Sequence, residues 1–264
     1  MDTVISGDGS RIAYARSGEG PPIVLVGGAL SDRASDAPLA AELGRNLSVI
    51  SYDRRGRGEG EKITWSLAAE IDDLRALAGV AGEPVFVYGH SSGAVLSIEA
   101  ALAGIPIRRL VVYEPPYVAD PNDPQAPPAD LAGRLRTTIA GPGGPDAAVR
   151  EFLRSGPGIS DEAIEVLSTS PAWSRFLALA FTLPWETEIV GGGAIPVKRL
   201  ASFKTPTLVL QGGASPRWVR ASSAALTEAL PHGELVVLEG LDHGGARADP
   251  SRVASAVRRF LLRE

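Results

Sequence analysis

The 264-residue sequence has no cysteine and a single methionine, and of its 26 basic residues only Lys62, Lys198 and Lys204 are lysines. Without cysteine there are no disulfides, no thiolate metal sites and no cysteine nucleophile, and the redox compartment stays undetermined. Histidine is scarce too. His90, His232 and His243 are the only three. No apolar run reaches the length of a membrane span, and the opening MDTVISGDGS lacks the basic-then-apolar order of a secretory signal. Positive charge is not in excess either: the formal net charge is −5, which argues against a nucleic-acid partner. The basic cluster Arg54, Arg55 and Arg57 lies beside Asp53, Glu59 and Glu61 and reads as a local ion-pair network, not a phosphate patch. The preference for arginine over lysine suits a GC-rich bacterial genome. The expectation is a soluble cytoplasmic protein with a small-molecule partner, no nucleic acid and no membrane, its oligomeric state open.

What the chain does have is an alternation of two patterns. It is 44% hydrophobic and 22% charged, enough for one large core. RIAYA (11–15), after the Gly-Asp-Gly turn, reads as the second arm of a hairpin. PIVLVGG (22–28), LSVISYD (47–53), PVFVYG (84–89), RLVVYE (109–114), PTLVLQG (206–212) and ELVVLEG (234–240) read as strands. They are β-branched and almost continuously apolar, as strands covered on both faces are. Helical spacing fills 65–80, 92–104, 219–230 and 250–263, the last beginning at Asp249-Pro250. The fold class is therefore α/β, a doubly wound, mostly parallel sheet of about eight strands. Residues 115–200 break the rhythm with the proline-rich PPYVADPNDPQAPP and several amphipathic windows. That length is too structured for a loop, so it reads as a helical cap inserted after the sixth strand. The core is then 1–114 plus 201–264.

VYGHSSGAV (87–95) carries the chemistry. Gly89-His90-Ser91-Ser92-Gly93 matches G-x-S-x-G, a weak pattern alone in a chain with 30 glycines. Its setting is stronger, directly after PVFVY and before the helix-patterned AVLSIEAALAG, where a strained strand-to-helix turn exposes a serine oxygen. Ser91 then sits at a helix N-terminus, whose amides favour developing negative charge. A serine needs an adjacent base. His90 points away from Ser91, as neighbours at a strand end do, and reads as structural. His232 lies in the polar turn LPHGE. His243 follows the last strand in GLDHGG, at the sheet end where strand-terminal loops converge, and is the expected base.

These segments together resemble the α/β-hydrolase family over nearly the whole chain. IVLVGG resembles the strand ending in the oxyanion loop, SYDRRGRGEG the strand and turn that follow, VYGHSSG the nucleophile elbow and LEGLDHGGARADP the loop of the catalytic histidine. YEPPY (113–117) resembles a group of uncharacterised bacterial members. The resemblance implies Ser91 as nucleophile, His243 as base and an oxyanion hole from the backbone N–H groups of Ala29 and Ser92. Gly27-Gly28 stands where the family often has His-Gly, so the usual histidine bracing of that loop is absent. The family usually places its acid after the strand PTLVLQG, but here Ser215 occupies that position and no carboxylate follows before Glu228. Glu114, at the end of RLVVYE, is the expected acid, because some relatives shift it one strand and the order Ser91, Glu114, His243 is kept. Two alternatives stand beside it: Glu114 pairs with an arginine, or Ser215 or a water orients His243 without an acid. Asp242 is a poorer candidate because adjacent side chains rarely converge on one hydrogen bond.

The implied activity is cleavage of a small, largely apolar carboxylic ester, or a related thioester or lactone, through an acyl-enzyme, with no cofactor and no metal. An acyltransferase or a carbon–carbon bond hydrolase would use the same chemistry. A non-catalytic ligand-binding protein on the same fold is the rival from another class. A dinucleotide-binding protein is disfavoured because VGGALSD lacks the G-x-G-x-x-G spacing. Trp173, Phe176, Phe181 and Trp185 in the cap, with Trp218 after PTLVLQG, are the expected wall of an apolar pocket.

Overall fold

The computed structural model describes residues 1–58, 64–82 and 84–263. Its strands are β1 (Asp2–Ile5), β2 (Arg11–Ser17), β3 (Pro22–Val26), β4 (Ser48–Tyr52), β5 (Val85–His90), β6 (Ile107–Tyr113), β7 (Thr207–Gly212) and β8 (Gly233–Leu238). They form one eight-stranded sheet in the order β1-β2-β4-β3-β5-β6-β7-β8. The β1–β2 and β2–β4 pairs are antiparallel and the rest parallel. The helices are α1 (Ala37–Leu43), α2 (Leu67–Ala81), α3 (Ser92–Leu102), α4 (Leu131–Ala140), α5 (Gly144–Ser155), α6 (Asp161–Ser168), α7 (Ala172–Leu179), α8 (Leu183–Glu188), α9 (Val197–Leu200), α10 (Arg217–Ala229), α11 (Gly245–Ala248) and α12 (Pro250–Leu261).

The near-continuous apolarity of the central strands has a direct cause. Ile23, Leu25, Phe86, Tyr88 and Val111 face a cluster with Leu43 of α1 and Val257 and Phe260 of α12. The alternate residues Val24, Val26, Val87, Leu110 and Val112 face a second cluster with Leu77 of α2 and Leu96 of α3. Both faces are buried, so both parities must be apolar. Each such side chain contributes roughly 1.5–3 kcal/mol by leaving water. Local signals set the helix ends. Ser66 caps α2 by accepting from the Ala69 amide, and Asp249 does the same for α12, which has proline in its first turn.

Between β6 and β7 the chain forms α4 to α9, and helices α4 to α8 contribute most of a third apolar cluster that includes Leu135, Val149, Ile164, Trp173 and Leu183. Leu30, from the loop after β3, joins it from the sheet side. The proline-rich stretch contributes an isolated bridge, Val118 with Ala194, and no helix or full strand.

The strand order positions the site. β3 and β5 are neighbours, yet the chain leaves β3 toward β4 and leaves β5 toward β6 on the opposite side. A crevice opens beyond the carboxyl ends of strands at such a reversal. The loops after β3, β5, β6 and β8 all emerge around it. Among the described residues no helix is long and apolar enough to cross a membrane.

Candidate active site

Three residues other than glycine have positive φ among those described: Leu30 at 53°, Ser91 at 54° and Glu114 at 46°. Side chains disfavour this region, and such strain collects at functional sites. All three follow central strands at the crevice. Ser91, with ψ of −124°, is the hinge between β5 and α3. The flanking glycines are a steric requirement. A Cβ on Gly89 would lie 2.6 Å from the Ala94 Cα, and one on Gly93 would lie 2.3 Å from the Val26 carbonyl oxygen. The turn is held by the Ser91 amide, which donates to the Tyr113 carbonyl at 2.9 Å.

Register brings Ser91 and Glu114 to one edge. His90 pairs with Tyr113 across β5 and β6, so the next residue on each strand leaves the sheet at the same level. Glu114 is 1% exposed. Its Oε2 lies 2.8 Å from His243 Nδ1, and its Oε1 accepts from the Gly212 amide at 2.7 Å and from Ser215 Oγ at 2.6 Å. No arginine pairs with Glu114 among the described residues. Ser215 touches Glu114, not His243. Asp242 turns its carboxylate to the Gly244 amide.

His90 packs its ring against the His243 ring at 4.8 Å between centroids, and its Nε2 lies 2.9 Å from the His243 carbonyl, to which it donates. Burial, reinforced by the fields of His243 and Arg247, holds His90 well below its ordinary pKa of 6.5. His232 is exposed and away from the crevice, its carbonyl accepting from Thr207 at the far end of β7. Ala29 and Ser92 both face the cavity described below, and among the described residues neither amide has an acceptor within the protein. Both N–H groups are thus left without a protein acceptor at the cavity that Ser91 also borders.

Ser91, His243, Glu114, Ala29 and Ser92 all border one cavity of about 1030 Å³. Its wall is mostly apolar and joins the strand ends to the helices between β6 and β7. Of the five aromatic residues expected there, Phe176 and Trp218 line it. Trp173, Phe181 and Trp185 do not, which corrects that expectation. Trp173 lies under the Arg150 guanidinium and donates its Nε1 hydrogen to Asp146. Trp185 stacks on Trp65 at 5.9 Å, and Phe181, 46% exposed, meets it edge-on. Trp173 packs among the helices between β6 and β7, while Trp185 and Phe181 pack against Trp65 and Gly56 from the segments flanking β4 and α2. Aliphatic residues and prolines such as Leu131, Leu153, Ile159, Val190 and Pro128 provide the wall in their place.

The arginine cluster is an ion-pair network, but its partners are remote in sequence. Arg54 donates from Nε to Glu70 at 2.8 Å and from Nη1 to Glu186 at 2.9 Å. Arg55 forms a fork with Asp73, at 2.7 and 2.8 Å, and reaches Asp8. Arg57 pairs with Glu186. The nearer Asp53 is taken by Arg33, while Glu59 and Glu61 lie outside the described residues. The bracing that a histidine would give the loop after β3 comes from this network. Arg54 Nη1 donates to the Gly27 carbonyl at 2.9 Å, and Arg57 Nη1 donates to those of Gly28 and Ser31 at 3.0 and 2.8 Å. Sequence reasoning missed Glu186. It stands 129 residues from Arg57 in LPWETE, a stretch with no motif to mark it.

Comparison with known proteins identifies the fold and family. An α/β-hydrolase crystal structure from Sphaerobacter thermophilus is 44% identical, covers 98% of this chain and 99% of its own, and superposes with a TM-score of 0.91. N-formylmaleamate deformylase of Pseudomonas putida is 34% identical over 118 residues, 42% of this chain and 44% of that one. An uncharacterized hydrolase of Bacillus subtilis is 32% identical over 99 residues, 36% of each. The matches to these two curated relatives thus span less than half of their length. The model of the alpha/beta hydrolase family matches residues 23–256. With the sheet, the turn at Ser91 and that match in place, the chain belongs to the alpha/beta hydrolase family.

Proposed function

We propose that this protein is a serine hydrolase that cleaves a small, largely apolar carboxylic ester, or a related thioester or lactone, through an acyl-enzyme on Ser91. The observation that carries the reading is the 2.8 Å contact of His243 Nδ1 with buried Glu114. It assigns the Nδ1 proton to the contact with the carboxylate and leaves Nε2 as the basic nitrogen. In this mechanism Ser91 Oγ attacks the substrate carbonyl carbon while its proton passes to His243 Nε2. The oxyanion is received by the amides of Ala29 and Ser92. The intermediate collapses by breaking the bond to the leaving group, which takes the proton from Nε2. Water then repeats the sequence on the acyl-enzyme and releases the acid. The Glu114 carboxylate stabilises the imidazolium.

Residues 115–200 act as the cap of this enzyme, over a core of 1–114 and 201–264. Phe152, Phe176 and Trp218 supply aromatic surface within a mostly apolar cavity, which suits an apolar acyl or alcohol group. The test is labelling with a fluorophosphonate, combined with a panel of p-nitrophenyl esters, thioesters, lactones and N-formyl amides. Wild type is expected to be labelled and to turn over part of the panel. Ser91→Ala is expected to lose labelling and nearly all turnover while its circular dichroism is unchanged. A folded Ser91→Ala protein with most of its activity would refute the assignment.

A further inference from the structure

Glu186 is the one carboxylate from the helices between β6 and β7 that enters the buried network at the strand ends among the described residues. It is 3% exposed and borders the same cavity as Ser91. Its Oε2 accepts from Ser92 Oγ at 2.5 Å and from Arg54 Nη1 at 2.9 Å, and its Oε1 pairs with Arg57 Nη2. The two guanidiniums that grip it are the same two that hold the carbonyls of Gly27, Gly28 and Ser31.

The Gly28 carbonyl belongs to the same peptide unit as the Ala29 amide. That unit is planar and trans, so its C=O and N–H point in opposite directions and anchoring one aims the other. The Gly28 oxygen accepts from Arg57 Nη1 at 3.0 Å and from Ser31 Oγ at 2.7 Å. A cationic donor on that oxygen also polarises the Ala29 N–H, since linked hydrogen bonds strengthen one another. The Arg57 side chain is long and flexible, and among the described residues Glu186 is the group that pins its Nη2. The other proposed donor residue, Ser92, is tied to the same carboxylate through its hydroxyl.

We propose that Glu186 is a positioning residue for the oxyanion hole, holding the Ala29 and Ser92 amides in their working directions from a helix outside the sheet. This rests on the serine-hydrolase reading above. It makes the oxyanion hole complete only while α8 is seated on the strand ends, so that closing the cavity and arming the donors are one event. The charges balance locally: Arg54 and Arg57 are offset by Glu70 and Glu186, so Glu186 does not oppose a neighbouring oxyanion as a bare anion would. Burial works to raise its pKa, and the two arginines with the Ser92 hydrogen bond more than offset this, keeping it below the ordinary value and ionised.

Two variants and two readouts test the proposal. Glu186→Gln keeps the shape and loses the charge. Arg57→Lys keeps the buried charge and loses the fork that spans two carbonyls and the carboxylate. In backbone amide NMR, the Ala29 and Ser92 resonances are expected to move in both variants while those of β7 and β8 stay in place. With p-nitrophenyl butyrate, kcat is expected to fall roughly 10- to 100-fold, short of the loss of a whole oxyanion donor, with KM within about threefold. The double variant should fall little further than the worse single one, because both act through one chain of contacts. Unmoved Ala29 and Ser92 resonances in a folded variant overturn the proposal, as does a loss in KM alone or an undiminished kcat. If wild type neither turns over the ester nor labels, the serine-hydrolase reading has failed, and the NMR arm still decides what Glu186 holds. Should Glu186→Gln fail to fold, Arg57→Lys decides by the same readouts.

Discussion

Glu114 satisfies both of its oxygens without an arginine. The Gly212 amide and Ser215 hydroxyl donate to Oε1, and His243 Nδ1 meets Oε2. In the proposed mechanism the two donors hold the carboxylate still and the histidine uses it. Glu114→Gln is therefore expected to lower turnover by about 10³- to 10⁴-fold, as loss of the acid does in serine proteases. Ser215→Ala removes one donor of two and should cost only about 1 kcal/mol, a severalfold change. Steady-state rates of the two variants check the ranking, and the reverse order would move the orienting role to Ser215. His90 makes a separate prediction about stability. Its folded pKa is depressed, by burial first and then by His243 and Arg247. The unfolded chain takes up a proton there as pH falls through about 6.5, and the native state does not. Stability is thus fully present above that pH and declines below it. Denaturant unfolding at pH 7.5 and 5.5 should show a loss that shrinks by about 1 kcal/mol in His90→Asn. An unchanged difference would mean that His90 titrates normally in the fold.

At the level of elements, the turn from β5 to α3 is built around absent side chains. Gly93 lies against the carbonyl oxygens of Val26 and Gly27, 2.3 and 2.5 Å from where its Cβ would be. Both obstacles are backbone of the neighbouring strand and loop, so neither can rotate away. Gly93→Ala must push α3 off β3 or open the loop that carries Ala29. It is expected to cost more than about 3 kcal/mol, in the range of severe overpacking, and to appear as lost soluble protein or a thermal midpoint lowered by several degrees. Gly79 makes a fair control. It is helical too, but nothing lies within 4 Å of its Cβ position, and Gly79→Ala should be neutral or slightly stabilising.

Across the whole molecule, apolar burial is divided. Two clusters sandwich the sheet, and a third lies mostly within α4 to α8, joined to the sheet side through Leu30. The polar ties across that division are few. Among the described residues Glu186 is the buried one, and Arg175–Asp32, Arg199–Glu99 and the Ala119 amide with Ser222 Oγ are partly exposed ties. A unit with its own cluster and few ties opens more readily than the layer it rests on. Hydrogen exchange is expected to be fastest in 115–130, intermediate in α5 to α7 and slowest in β5 and β6. Helix α8 should be slower than α6 because its anchor is buried. Equal protection in α6 and β5 would show that the helices and sheet open together.

Local pattern made most of the fold legible. Strands buried on both faces must be apolar at both parities, and helices must turn one face inward, so the alternation of the two could be read along the chain. Even so, α1, only seven residues long, carried too little periodicity to be read. The turn at Ser91 was legible because its glycines, serine and flanking strand and helix patterns sit within one short stretch, although Gly93 is demanded by Val26 and Gly27 across the sheet. Glu114 and His243 were legible only as ends of strands that a known resemblance brings to one edge. The remainder needed tertiary structure. An amphipathic helix shows which side is apolar but not whether that side meets a cavity or another helix. Trp173, Phe181 and Trp185 therefore looked like pocket wall, yet Trp173 packs among helices and the other two pack on Trp65 and Gly56. The partners of Arg54 and Arg57 could not be read at all. Charges adjacent in sequence looked sufficient, yet a buried guanidinium takes whichever carboxylate the fold buries beside it, and no local pattern marks Glu186, far along the chain, as that carboxylate.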